Sequence, residues 1–204
     1  MLKPISNTIQ GVISFTWPMI IISIIVMVSF RICYLIKSKE KVVIYKELSM
    51  LIFGIYILCL FQVVTFQDDA SWATNNFIPF REIMRYNITS RLFFKNVLGN
   101  MIMFLPFCFF ASFYLKSEKL TLPLFLTIIA SVSIEVVQLL IGRVFDVDDI
   151  LLNILGGLLG YGLYSIFRVI GERLPSFTKK EWFLNALSIL IFIGLITGLL
   201  FILI

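Results

Sequence analysis

The stretch Ser131–Tyr164 reads S-V-S-I-E-V-V-Q-L-L-I-G-R-V-F-D-V-D-D-I-L-L-N-I-L-G-G-L-L-G-Y-G-L-Y. Its first third lies inside an apolar run from Leu120 to Ile141, and Glu135 sits near the middle of that run. A carboxylate at the centre of a membrane helix costs about 2.5–3.5 kcal/mol on insertion scales. Such a group needs a partner, a proton or a wet cavity. Gln138, Arg143, Asp146, Asp148, Asp149 and Asn153 follow within the same stretch as candidate partners. Ser131, Glu135 and Gln138 fall on one helical face, at i, i+4 and i+7. That face is expected to look into a helix bundle, away from lipid. Asp149, Asn153, Gly156 and Gly160 share a face in the same way, and Gly156-x-x-x-Gly160 lets another helix approach closely. Asp148 or Asp149 near a helix start is also a natural cap.

Working outward, the composition assigns the class. The chain has 204 residues, of which 60% are hydrophobic and 14% charged. A soluble domain carries about 25% charged residues. Six apolar runs are long enough to cross a bilayer: Val12–Ile36, Leu48–Phe66, Val97–Leu115, Leu120–Ile141, Ile150–Phe167 and Phe183–Ile204. In hydrocarbon only a helix satisfies its own backbone, so the fold expected is all-α, a polytopic transmembrane helix bundle with six spans. The first run is too long for a signal-peptide core and lacks a small-residue cleavage site, so it reads as a retained span.

Orientation follows from the basic residues. Eleven Lys and Arg flank the spans on one side and six on the other. The positive-inside rule places the richer side in the cytoplasm and both termini outside. The outer face then carries a long loop, Gln67–Asn96, and a short one, Gly142–Asp149. Asp68, Asp69, Glu82, Asp146, Asp148 and Asp149 concentrate there. Trp72, Phe77 and Phe80 are suited to anchor the long loop at headgroup depth, and Pro79 breaks any helix through it. In the third run Asn96, Asn100, Met103 and Phe107 share a face.

Several functions fall away. Histidine is absent, which excludes a His-dependent hydrolase and a histidine zinc site. Cys33, Cys59 and Cys108 lie in apolar runs and read as packing residues. Basic residues are scattered among short loops, so nucleic-acid binding is not expected. No nucleophile motif, metal site or cofactor motif is apparent, which leaves an enzyme as the weaker reading.

Four elements in order resemble the VanZ-like membrane proteins. They are N-x-I-P-F at Asn76–Phe80, N-x3-F-x-P at Asn100–Pro106, S-x3-E-x2-Q at Ser131–Gln138, and R-x2-D-x2-D-x3-N-x2-G-x3-G-Y from Arg143 to Tyr161. The resemblance implies a single membrane domain over 1–204. Its VanZ-like core covers about 48–170, with an added N-terminal span at 12–36 and C-terminal span at 183–204. It implies a multi-pass protein of the bacterial cell membrane, linked to reduced susceptibility to teicoplanin and related lipoglycopeptide antibiotics. It carries over no catalytic residues. The matching positions Asn76, Asn100, Glu135, Gln138, Arg143, Asp146, Asp149 and Asn153 form the candidate functional cluster.

Three mechanisms fit such a cluster. As a binding protein among membrane lipids, it would hold the polar headgroup of a lipoglycopeptide or of a polyprenyl-linked wall intermediate. Arg143 would then pair with a phosphate or carboxylate. As an enzyme on a polyprenyl- or phospholipid-linked substrate, Glu135, Asp146 and Asp149 would serve as acid–base or metal-binding groups. As a purely structural network, the same residues would lock the fourth and fifth spans together.

Overall fold

The computed structural model describes residues 3–65, 75–87 and 89–203, with side chains at 17–62, 75–87 and 89–198. Asp68, Asp69 and Trp72 lie outside the described residues. Among the described residues seven α-helices follow one another: α1 (Lys3–Ser38), α2 (Ile44–Thr65), α3 (Arg81–Arg85), α4 (Gly99–Leu115), α5 (Thr121–Leu140), α6 (Val147–Arg173) and α7 (Glu181–Leu203). A π-helical turn, Phe93–Leu98, runs straight into α4, and a 3-10 turn, Ser176–Lys179, precedes α7. Among the described residues, six segments are long and apolar enough to cross a membrane: Trp17–Ser38, Ile44–Gln62, Phe93–Leu115, Thr121–Leu140, Val147–Arg173 and Glu181–Gly198. The protein is a multi-pass membrane helix bundle.

The expected runs underestimate two helices. The fifth span extends from Val147 to Arg173 and the first begins at Lys3. Charged residues close an apolar run, but they do not stop a helix that leaves the hydrocarbon and continues in the headgroup layer.

The helices form two compact units. One holds residues 1–66 and 173–204, the other 67–172. In the first unit, α1 and α2 are joined by a turn at Lys39, whose φ of 54° is left-handed. The Arg31 guanidinium closes the hairpin by gripping the Glu47 carboxylate through Nε (2.8 Å) and an Nη (2.9 Å). A bidentate fork of this kind fixes orientation as well as charge. The start of α7 docks on the start of α2: Asn185 Oδ1 accepts the Tyr45 N–H at 3.0 Å, and Lys41 pairs with Glu181 at 3.0 Å.

The second unit is built inside out. On α5 the buried residues are Pro123, Thr127, Ser131, Glu135 and Gln138, a repeat of three and four that is mostly polar. Val132, Val136, Val137, Leu139 and Leu140 are exposed. In water this would be an inverted helix. In lipid it is the favoured arrangement, because the tails solvate the valines and leucines while the bundle supplies partners for the polar face. Thr127 and Ser112 discharge their hydroxyls locally, onto the carbonyls of Pro123 and Cys108.

α6 lies tightly on α4. A Cβ on Gly156 would overlap the Met101 carbonyl, and one on Gly160 would overlap the Leu105 carbonyl. Met101 and Leu105 are one turn apart, as are the two glycines. The small-residue stripe is therefore a groove that the α4 backbone occupies. Midway along α6, Tyr161 donates its hydroxyl to the Glu118 carbonyl at 2.8 Å and ties down the α4–α5 turn.

Candidate functional site

The polar residues meet where α5 ends and α6 begins. The link Ile141–Asp146 carries the chain from one to the other, and the segment Asn75–Arg85 lies against it. Asn76 runs parallel to this link: its N–H bonds the Phe145 carbonyl (2.8 Å), and the Val147 N–H bonds the Asn76 carbonyl (3.0 Å). Phe77 stacks on Phe145, with ring centroids 5.3 Å apart. The Asn75 side chain accepts the Phe145 N–H at 2.9 Å.

Three aspartates divide the work. Asp146 precedes the first residue of α6 and caps it, accepting the Asp148 N–H at 2.9 Å. The same Oδ1 accepts Asn76 Nδ2 at 2.8 Å. Asp148 caps a different helix. It is 1% exposed and accepts the backbone N–H groups of Phe80, Glu82 (2.7 Å) and Ile83 (3.2 Å). These are orphan donors at the start of α3. The expectation that Asp148 or Asp149 caps α6 is thereby corrected. The cap is Asp146, because the link delivers Asp148 toward α3. Asp149 takes a third partner, the Asn100 carboxamide of α4.

Glu135 is 2% exposed and accepts the Asp146 backbone N–H at 3.0 Å. The buried acid of α5 is thus solvated by the link that follows it. Arg143 is half-buried, and its charge reaches both Glu135 and Asp149. Its N–H bonds the Gln138 carbonyl at 2.9 Å, closing the C-terminus of α5. Asn153, one turn into α6 from Asp149, gives its Nδ2 to Ser131 Oγ at 3.0 Å.

The structure therefore joins Asn76, Asp146 and Glu135 in one chain of hydrogen bonds, and Asn100 with Asp149 in another. Gln138 and Arg143 meet through the backbone. Asn153 bonds Ser131 instead of a carboxyl. Asn96, which shares a face with Asn100 in an ideal α-helix, donates to the Tyr86 hydroxyl at 2.8 Å. The π turn at 93–98 changes the register between the two asparagines. Among the described residues, no three His, Cys, Asp or Glu side chains are arranged to hold a metal ion. The metal-binding role considered for Glu135, Asp146 and Asp149 is not supported by this geometry, because each faces a different element.

Asp146 lies outside the spans. Burial is the main influence on its carboxyl and pushes its pKa above the usual range, and the neighbouring charges of Asp148 and Glu82 add to this. The Asp148 N–H and Asn76 amide partly offset the shift. A carboxyl whose pKa is raised on folding stabilises the fold while it is protonated, and that contribution is lost as pH rises through the raised value. Asp146→Asn is accordingly expected to reduce the loss of thermal stability on going from acidic to neutral pH. A stability–pH profile parallel to wild type would contradict this.

The comparisons with known proteins bear on the same segment. A family model described as VanZ/LLP1 matches residues 53–168, more than half of the chain. The chain belongs to the VanZ/LLP1 family. The VanZ/LLP1 match takes in all eight residues of the candidate cluster, together with Asp148 and Ser131. No curated protein and no solved structure matches the chain.

Sequence reasoning passed over Asp148 as a site residue. The R-x2-D-x2-D spacing draws attention to Asp146 and Asp149, and the aspartate between them reads only as a possible partner of Glu135 or a helix cap. The only signal was three acids in four positions, which is one more than a helix start needs.

Proposed function

We propose that this VanZ/LLP1 protein is a headgroup-binding protein of the bacterial cell membrane. Its polar cluster takes the headgroup of a lipid-linked envelope intermediate or of a lipoglycopeptide such as teicoplanin, while the lipid tail lies along the exposed apolar face of α5. Through this binding it lowers susceptibility to such drugs. The cluster faces outward on the count of Lys and Arg.

One observation carries the reading. A loop and three helices converge through Asp146, Asp148 and Asp149 on one end of the bundle. A network serving only to lock α5 to α6 has no need to hold the Asn76–Arg85 segment. Within the cluster Arg143 is the residue suited to a phosphate or carboxylate. The acid–base reading draws less support, since Glu135 accepts the Asp146 N–H, Asp146 Oδ1 is shared by the Asp148 N–H and the Asn76 amide, and Asp149 accepts the Asn100 amide.

The test is saturable binding of labelled teicoplanin and of a polyprenyl phosphate to the purified protein. Arg143→Ala, with an unchanged melting profile, is expected to weaken binding of the anionic probe by about tenfold or more, the scale of a lost charge-assisted hydrogen bond. Absence of saturable binding to either probe overturns the proposal.

A further inference from the structure

We infer that the inner end of the cluster is a seat for a primary ammonium group. This rests on the headgroup-binding reading above and names the chemistry that the site selects. The decisive atom is Asn153 Oδ1. It is buried and has no hydrogen-bond partner, on a residue 4% exposed. In the observed arrangement Nδ2 donates to Ser131 Oγ at 3.0 Å, and Oδ1 is the amide atom left without a partner. Asp149 stands one turn before Asn153 on α6, and Glu135 one turn after Ser131 on α5. The open acceptor thus lies between the two helices, one turn below two carboxyls.

An unmade hydrogen bond is expensive in low dielectric, so what the site lacks is a donor. Its charge points the same way. Glu135, Asp146, Asp148 and Asp149 gather four carboxyls here, and the charge of Arg143 reaches Glu135 and Asp149. Among the groups that solvate these carboxyls are neutral dipoles. They are the N–H groups of Asp146, Asp148, Phe80, Glu82 and Ile83, and the amides of Asn76 and Asn100. A water molecule would satisfy Asn153 Oδ1 and leave the charge unchanged. An ammonium supplies three donors and a unit of positive charge in one group. It would reach the site from the headgroup layer, since the cluster lies at the ends of α5 and α6. An aminophospholipid and an amine-bearing lipoglycopeptide both present this group.

The test uses the full-length protein in nanodiscs, with retained lipid read by native mass spectrometry. Phosphatidylethanolamine is compared with phosphatidylcholine, which keeps the positive charge but has no N–H, and with phosphatidylglycerol, which has no positive charge. A parallel arm compares a lipoglycopeptide with its N-acetylated form and distinguishes drug from lipid as the source. Phosphatidylethanolamine, or the free-amine drug, is expected to be preferred by about tenfold, the scale of one good donor–acceptor contact. Asn153→Ala is expected to abolish the preference. Ser131→Ala, which keeps the amide oxygen, should retain most of it. Should Asn153→Ala fail to fold, Asn153→Asp carries the test, with a preference equal to or above wild type expected and its loss overturning the inference. Equal retention of all three lipids together with no discrimination in the drug arm overturns it. If polyprenyl phosphate still binds in that case, the ammonium seat fails and the headgroup reading stands. If no probe binds, both fail.

Discussion

Replacing Asp148 with asparagine is expected to free the Phe80–Arg85 segment from the bundle while the six spans and the Asn76 contacts stay in place. The carboxylate is fully buried and accepts three backbone N–H groups, those of Phe80, Glu82 and Ile83. An asparagine offers one oxygen, and its NH2 then faces donors. Hydrogen bonds to a charged group contribute about 1.5–3 kcal/mol each, and a buried donor left unmade costs about 1–3 kcal/mol. The bonds are not additive, so a local loss of about 3 kcal/mol is a reasonable expectation. Phe80 adds to the effect. Its φ of 66° is left-handed, which is uncommon for a bulky side chain and persists only when held. Trypsin cleavage after Arg81 and Arg85 reads the outcome. A loss of ~3 kcal/mol corresponds to roughly a hundredfold larger open population. Cleavage at the wild-type rate would show that other contacts hold the segment. Asp149→Asn, which faces the Asn100 carboxamide alone, is expected to leave this cleavage nearly unchanged.

A larger effect on assembly is expected from Gly160→Leu. The position of a side chain at 160 is taken by the Leu105 carbonyl and lies close to the Phe109 nitrogen, both backbone atoms of α4. A flexible side chain could move aside, but a helix backbone cannot without shifting the whole α4–α6 contact. Overpacking costs about 1–3 kcal/mol where side chains can adjust, so a larger loss follows here. Gly162→Leu is the matched control, since a Cβ there meets nothing within 4 Å. Both variants add the same side chain to the same helix. Gly160→Leu should yield little monodisperse protein after extraction, and Gly162→Leu close to the wild-type amount. Equal yields of the two would mean that α6 does not need the α4 groove.

The bundle and the face of α5 were legible in the sequence because each rests on spacing within one helix. Ser131, Glu135 and Gln138 declare a shared face at i, i+4 and i+7, and the surrounding valines and leucines declare lipid. What the sequence concealed was long-range pairing. Nothing near Asp148 indicates that its donors lie 65 to 68 positions earlier in the chain. Those donors belong to a five-residue helix after Pro79, too short to carry a periodic signal. The π turn was hidden for a related reason. Asn96 and Asn100 obey ideal helical spacing, and only the hydroxyl of Tyr86 and the carboxyl of Asp149 reveal that they serve different partners.

The hydrogen bond from the Asp146 backbone to Glu135 has a consequence for biosynthesis. Donor and acceptor are separated by eleven positions. At ~5–20 residues per second the ribosome adds that donor roughly half a second to two seconds after the acid itself. The Asn100–Asp149 bond spans forty-nine positions and comes with later assembly. A nascent chain halted just past Leu140 would leave its acid waiting at the translocon, whereas one extended through the start of α6 could release both helices to the bilayer as a hairpin.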